Sequence, residues 1–597
     1  MPCCCSLHAP ADLRSLQCRK DRSKERSMPR TSLAVVFSGS GGAGAMSAGE
    51  LLLNAAAQAG YYGMMSKLFG AQVRGGEAAA LVQISTAPVS CQPDRFDLFV
   101  ALDWANVDQF AGEIPLDARS IIISDPRSGP VPASIARCKG KTIALTLGPA
   151  DATPLERALH GKHTNVFVAG VVAAMAGLPV DHLQAALTTV LGDKSADVTR
   201  TNTASLQAGI AAAAGLDQDV RLDPPHPAPR WLLTGNQAVA MGALRGGVRF
   251  VGCYPITPAT DLVEWISPQL QRVGGRLVMA EDELSSINMV LGGSFGGVPS
   301  MTVTSGPGLS LMIESIGLGI AAEVPVVIVN VMRGGPSTGI PSKTEQSDVN
   351  IAIYGGHGDA PRIVLAPTSV RDCMYTGEWA VYLAESLQTP VIVLSDMALG
   401  QANTVIDPKP DRPQPLARKV DMPDGPFKRY AIGEDPVSAM PRPGTPDGQW
   451  VGEGLTHNEI GIPVGGAAAH LAQIKKRARK LEQFDPGAAW GSVTGDGDTA
   501  LLVFGSSIGP AQEAARRLEA AGKKIRVVAL RVLSPLPLKS LAEALEGTSR
   551  IVVMEQNFGA QLYHHLLAYK AIPPTAESLA RPGPLPFRPA EITAHLA

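Results

Sequence analysis

A run of five residues, Tyr254-Pro255-Ile256-Thr257-Pro258, sets a hydroxyl between two prolines. Proline locks its own φ and pushes the residue before it into extended backbone, so the two rings restrain Thr257 from both sides. The run follows Arg249 to Cys253, which reads as a buried strand. Thr257 is therefore predicted at the carboxyl end of a strand, where open α/β sheets bind ligands. Further on, Glu281, Asp282 and Glu283 open a predicted helix running to Gly292. Acids at a helix start cap it and suit its dipole whatever else they do. Glu283 is the one expected to face inward, because Ile287 and Val290 lie one and two turns along the same face. A carboxyl buried there needs a partner, and a protonatable ring nitrogen would serve. Two glycine turns follow further strands: Ser305-Gly306-Pro307-Gly308 after Met301 to Thr304, and Arg333 to Gly339 after Pro325 to Val331. Both turns should gather near Thr257. Arg333 is the one cation among them, and a guanidinium takes a carboxylate in a forked geometry. Singly, these are a loop threonine, capping acids and an exposed arginine. Together they describe a proton-handling acid beside a carboxylate anchor.

Two other motifs carry less. Gly39-x-Gly41-x-x-Gly44 lies between a strand and a helix, as a dinucleotide fingerprint requires. The acid expected about 20 residues on is missing, however, because that stretch is Tyr61-Tyr62-Gly63-Met64-Met65. A tight turn, or an anion at the helix start, is the better expectation. Gly495-Asp496-Gly497-Asp498 resembles the start of a magnesium–diphosphate signature. It precedes its strand instead of following one and has no asparagine partner near Ala521 to Ile525, so it reads as a turn.

The elements that must position these residues alternate strand and helix, which predicts parallel α/β sheets. We divide the chain into a leader (1–30), a first α/β unit (31–216), a proline-dense linker (217–230), a central unit (231–405), an irregular connector ending in a charged helix (406–484), a doubly wound unit (485–580) and a Pro-rich tail (581–597). Lys475, Lys476, Arg477, Arg479 and Lys480 on the charged helix are expected to form a solvated face.

With 597 residues, 45% hydrophobic and 18% charged, the chain has the make-up of a multidomain globular protein. A net charge of −2 offers no bulk attraction to nucleic acid or an anionic membrane. The best apolar run, Ile316 to Val331, is interrupted by Glu323 and Pro325, so no membrane span is expected. The leader has no apolar core of a secretory signal, and Met28 is a candidate natural start. Four cysteines lie in that leader. The others, Cys91, Cys138, Cys253 and Cys373, are far apart and form no CxxC pair. Neither a disulfide framework, a zinc site nor a self-contained iron–sulfur cluster is supported, and a cytoplasmic setting is expected.

Taken together, Tyr254 to Pro258, Glu281 to Gly293, Thr304 to Gly308, Arg333 to Pro341 and Gly355-Gly356-His357-Gly358 resemble the α subunit of 2-oxoacid:ferredoxin oxidoreductases, closest to the 2-oxoglutarate type. The first unit, with Gly39 to Gly44, Arg74-Gly75-Gly76 and Val82 to Ser85, resembles the γ subunit of the same enzymes, fused ahead of α. Val552 to Leu562 resembles their transketolase C-terminal-like domain. The resemblance implies a multidomain α/β enzyme with a γ-like domain, a pyrimidine-binding domain of the thiamine diphosphate type and a transketolase C-terminal-like domain. It implies oxidative decarboxylation of a 2-oxoacid to acyl-CoA with reduction of ferredoxin, or the reverse. Coenzyme A is implied as co-substrate. Mg²⁺, diphosphate binding and a [4Fe-4S] cluster are expected on a separate β subunit, in a dimer of α–β pairs. Glu283 matches the family's catalytic glutamate, which hydrogen-bonds the aminopyrimidine. Tyr254, Pro255 and Ile256 match its cofactor loop. Thr257 and Arg333 match its contacts to the substrate carboxylate, and Ser342 stands where many relatives have threonine. Lys162 and Asn165 are candidates to touch coenzyme A. The rival readings are the same chemistry on pyruvate, a branched-chain or an aryl 2-oxoacid, a non-catalytic assembly subunit, and an NAD-linked dehydrogenase.

Overall fold

The computed structural model describes residues 30–70, 76–147, 163–192, 194–216, 220–408 and 410–597. The leader up to residue 29, Arg74, Gly75 and Lys162 lie outside them. The first unit runs β1 (Ser32–Ser40), α1 (Ala45–Gln58), β2 (Tyr62–Phe69), β3 (Glu77–Ser85), β4 (Leu98–Ala101), β5 (Ile121–Ser124) and β6 (Lys141–Ala144). Three helices follow: α2 (Thr164–Ala176), α3 (Val180–Leu191) and α4 (Ala196–Ala213). The sheet is mixed, not parallel as the alternation predicts. β1 pairs antiparallel with β3, and β2 pairs antiparallel with β3. The short connection between β2 and β3 permits only a hairpin, since a parallel pair needs a crossover. Helix α1 seats Gly49 against Ala80, where a Cβ would come within 2.8 Å of the alanine's own.

The central unit runs β7 (Trp231–Leu233), α5 (Gly235–Gly246), β8 (Phe250–Cys253), α6 (Thr260–Arg272), β9 (Arg276–Met279), α7 (Glu283–Phe295), β10 (Ser300–Thr304) and α8 (Gly306–Ala321). It continues through β11 (Val327–Met332), α9 (Val349–Tyr354), β12 (Ile363–Leu365), α10 (Val370–Leu387), β13 (Val391–Asp396), α11 (Met397–Gly400) and β14 (Asn403–Ile406). Strands β12, β13, β11, β10, β8 and β9 form a parallel sheet in that order. Its Val- and Ile-rich inner strands are buried on both faces, as parallel sheets require, while the edge strand β9 is partly exposed. One face packs under α5, α6 and α10, the other under α7, α8 and α9. β7 and β14 leave this sheet: β14 pairs with β2 on one side and β7 on the other, extending the first unit's sheet to eight strands.

Residues 410–466 contain no helix or strand. The last part comprises α12 (Ala467–Glu482), β15 (Gly491–Thr494), β16 (Thr499–Phe504), α13 (Ile508–Ala520), β17 (Ile525–Leu530), β18 (Val532–Ser534), α14 (Leu538–Leu545), β19 (Arg550–Glu555), α15 (Gln561–Ala568), β20 (Glu577–Ala580) and α16 (Pro589–Leu596). Its five-stranded sheet has the order β15-β17-β16-β19-β20, and β18 adds antiparallel to β12 of the central sheet. Two expectations fail here. The tail ends in a helix, because Ile592 and Leu596 bury fully against the α13 face. The face of α12 is only partly solvated. Lys476 and Lys480 are buried, with Lys476 Nζ at 2.6 and 2.7 Å from the two carboxylate oxygens of Glu323 and Lys480 Nζ at 2.6 Å. Arg429 of the connector donates to the Glu323 carbonyl at 2.7 Å. Among the described residues no helix is long and apolar enough to cross a membrane.

Candidate functional site

β8, β10 and β11 are neighbours in the central sheet and run parallel, so the turns leaving their carboxyl ends meet at one edge. The loop after β8 bends straight into α6: the Ile256 carbonyl accepts from the N–H of Ala259 at 2.8 Å and of Thr260 at 3.2 Å. Asn236 of α5, itself buried, donates from Nδ2 to the Pro258 carbonyl at 2.9 Å and fixes the loop from below. Ile256 packs onto the core, while Tyr254, Pro255 and Thr257 are exposed. Arg333, leaving β11, is buried beside this loop. Its Nη1 donates to the Thr257 carbonyl at 2.5 Å and its Nη2 to the Thr338 carbonyl at 3.0 Å, while Nε has no partner. The guanidinium thus clamps both loops. Burial lowers its proton affinity, and Asp348 opposes that effect.

Glu283 is the first residue of α7. Asp282 caps the helix by accepting from the Ser285 N–H at 2.6 Å, which leaves Glu283 to turn inward with Ile287 and Val290. Its carboxyl lies over the turn after β10. A Cβ on Gly308 would sit 2.8 Å from Glu283 Oε1 and would also collide with Thr304 Oγ1, so glycine is what lets the acid approach. The carboxyl makes no hydrogen bond to another described residue. The residue is largely buried, but its carboxylate oxygens are not sealed off, so a donor from outside the chain can reach them. Ser305 holds the turn by donating to the Val331 carbonyl at 2.8 Å, which ties the β10 and β11 exits together. Glu283, Thr257 and Arg333 are therefore gathered around one edge of one sheet.

Ser342 is not part of that cluster. Its hydroxyl is buried without a partner and it lines a cavity of about 60 Å³ with Ser66, Gln401 and Pro584, between the units. Three features escape sequence reasoning. Asp348, at the start of α9, accepts from Asn330 Nδ2 at 2.9 Å and packs against Gly306. Burial, reinforced by Glu345, pushes its carboxyl up to about 6, against the Asn330 hydrogen bond and Arg333. Lys343, beside Ser342, donates to both carboxylate oxygens of Glu113 in the first unit at 2.6 and 2.7 Å. Exposed apolar side chains, Tyr254, Met279, Leu284 and Phe558, come from this region's elements and from the loop after β19. The signal available in sequence was only the acids and the lysine themselves, with no spacing to pair them.

The remaining motifs make local contacts. The loop of Gly39 to Gly44 is closed by Asp103, whose carboxylate accepts from the Ser40 N–H at 3.0 Å and hydroxyl at 2.8 Å. Gly495 has φ +80 and lies against Ile525, and Asp496 pairs with Lys524 on the surface. Asn165 abuts Gly44, where a Cβ would lie 2.7 Å from its own. Among the described residues no group of three or more His, Cys, Asp or Glu side chains could hold a metal ion.

Three family models match the chain. Residues 241–463 match the thiamine diphosphate-binding model of pyruvate flavodoxin/ferredoxin oxidoreductases, 34–212 the pyruvate ferredoxin/flavodoxin oxidoreductase model and 491–591 the transketolase C-terminal domain. The chain is 30% identical over 570 residues to 2-oxoglutarate oxidoreductase subunit KorA of Mycobacterium tuberculosis, covering 88% of this chain and 86% of that one. It is 35% identical over 341 residues to 2-oxoglutarate synthase subunit KorA of Methanothermobacter marburgensis, covering 56% of this chain and 89% of the other. Among solved structures, 2-oxoglutarate:ferredoxin oxidoreductase from Magnetococcus marinus, with 2-oxoglutarate, coenzyme A and succinyl-CoA bound, superimposes with a TM-score of 0.86. The two are 34% identical, covering 95% of this chain and 99% of that one.

Proposed function

Since this chain belongs to the 2-oxoacid:ferredoxin oxidoreductases, with γ-like and α-like units on one polypeptide, we propose that it decarboxylates 2-oxoglutarate oxidatively to succinyl-CoA, or runs the reverse, together with a separate β subunit. The observation that carries this reading is the convergence of Glu283, Thr257 and Arg333 on the exits of β8, β10 and β11. Thiamine diphosphate supplies, when bound, the carbon nucleophile that makes loss of carbon dioxide from a 2-oxoacid feasible. The residues present fit its pyrimidine. Gly308 leaves room at a carboxyl that lacks an internal partner, and Tyr254, Pro255 and Ile256 would wall the ring. Glu283 would hold a proton at the pyrimidine nitrogen. Thr257 and Arg333 would orient the substrate carboxylate, Arg333 by the guanidinium hydrogens not committed to the two carbonyls. Ser342 is proposed as a more distant support of the same loop. Mg²⁺, the diphosphate and the [4Fe-4S] cluster are assigned to the β subunit, ferredoxin is the proposed electron acceptor, and a cytoplasmic dimer of α–β pairs is the proposed assembly. The apolar side chains exposed around the site, Tyr254, Met279 and Leu284, suit burial by a partner.

The test is copurification with a β subunit followed by a 2-oxoacid panel with a viologen acceptor. Viologen reduction that needs 2-oxoglutarate and coenzyme A is expected. Preference for pyruvate, a branched-chain or an aryl 2-oxoacid would replace the substrate. Failure with every 2-oxoacid would leave an assembly subunit.

A further inference from the structure

We propose that Asp348 is a positioning residue for the 2-oxoacid site, steadying Arg333 through Asn330 and the first turn of α8, and that it takes a proton from solvent when an anionic ligand engages Arg333. The inference rests on the reading above that Arg333 faces the substrate carboxylate.

The geometry is a buried chain of polar contacts. Asn330 is fully buried near the end of β11, three residues before Arg333, and its Nδ2 holds Asp348 Oδ2 at 2.9 Å. The other carboxylate oxygen packs on Gly306, where a Cβ would lie 2.8 Å away. Gly306 opens the same helical turn against which Glu283 packs at Gly308, so the two acids flank one turn. Asp348 and Arg333 make no direct ion pair, yet each feels the other's charge.

The charged groups facing Asp348 are few. Arg333 at the end of β11 favours its ionised form, and Glu345 in the following loop opposes it. α8 presents the backbone of Gly306 there. α15 brings Gln561, which is uncharged, to the start of α9, and its His565 is engaged by Tyr354 at the far end of α9. An anion bound to Arg333 offsets the one nearby positive charge that favours the carboxylate and leaves only the Asn330 hydrogen bond to hold it ionised, so proton affinity rises. The neutral acid also has a place to donate. Asn330 Oδ1 is buried without a partner, and a half-turn of the amide presents it to the new O–H. The proton comes from buffer, and no other bond changes.

The experiment is calorimetric titration of the assembled enzyme with N-oxalylglycine, a 2-oxoglutarate isostere that does not decarboxylate, in buffers of differing ionisation enthalpy. Net proton uptake is expected at about pH 6.5, fading by about pH 9. Asp348→Asn keeps an acceptor for Asn330 and should abolish the uptake and flatten the pH profile of the 2-oxoacid KM. Glu345→Gln should retain both. Equal uptake in wild type and Asp348→Asn overturns the inference. Should that variant fail to fold, the wild type still decides, because absence of uptake across the pH range also overturns it. Arg333→Gln separates the two readings. If it leaves N-oxalylglycine binding unchanged, the substrate-anchor reading itself fails. If binding falls but uptake does not depend on Asp348, only the present inference fails.

Discussion

Glu283 and Arg333 differ in what holds them. The glutamate is turned inward by Asp282, which takes the capping bond, and by the apolar residues one and two turns on. That much is legible in sequence, because helical spacing is local. Glu283→Gln removes the proton-holding group but keeps the shape. Turnover should fall at least about 100-fold while the melting temperature stays within a degree or two, as steady-state rates and thermal unfolding would show. Arg333 spans two backbone carbonyls, a role no spacing could announce. Lysine has a single ammonium and cannot bridge both. Arg333→Lys should raise the KM for the 2-oxoacid about tenfold or more, roughly 1.4 kcal/mol, and leave thiamine diphosphate affinity within about twofold. Titrations with each ligand measure the two effects separately. Asp348 was invisible to sequence reasoning for a simple reason: an isolated acid in a loop acquires its meaning from Asn330 and Gly306, which only the fold brings to it.

At the level of elements, helix α12 shows how charge misleads. Five basic residues in one helix predict a wet surface, but the acid that recruits two of them lies 153 and 157 residues away in sequence. Burial alone would raise the Glu323 carboxyl. Lys480, Lys476 and Arg429 more than offset this and hold it far below the ordinary carboxylate range. A carboxyl whose folded value is depressed stabilises the fold above its unfolded pKa, and the contribution fades as pH falls toward the folded value. Glu323 should thus stay ionised at neutral pH and lose its contribution only in strong acid, whereas burial pushes Lys480 down to about 7, so the clasp also loses that cation as pH rises above neutral. Glu323→Gln strands two buried ammonium groups and should cost about 3–5 kcal/mol. Denaturant titration measures the loss, and limited proteolysis should cut first within 410–466. The C-terminal segment misled in the opposite way. Its prolines read as a tail, whereas Ile592 and Leu596 make it a helix with a buried face. Strands β8, β10 and β11 of the central sheet were anticipated from the sequence, whereas the short β9 and β12 were not. The antiparallel β2 was not, because Tyr62 to Phe69 alternates weakly.

Across the whole molecule, the first unit reaches the loop that leaves Arg333 through an ion pair. Glu113 grips Lys343 at the foot of the loop that begins with Arg333. The C-terminal helix reinforces this neighbourhood: Arg588 donates to the carbonyls of Pro93 and Glu113, and the Ala590 N–H donates to Asp94, which also pairs with Arg517 of α13. Glu113→Ala should let the loop of residues 334–343 exchange its amide hydrogens faster and raise the 2-oxoacid KM by up to about tenfold, ~1.4 kcal/mol, without unfolding the chain. Hydrogen exchange and steady-state kinetics test the two halves of that statement.

The shared eight-stranded sheet has one more consequence. β14 is hydrogen-bonded to β2 before the linker and to β7 after it, so the backbone is stitched across residues 220–230 without help from the peptide bonds there. A polypeptide severed in that stretch, or encoded as two separate pieces, should therefore anneal and migrate as one species on gel filtration, the join being carried by a strand donated late in the chain.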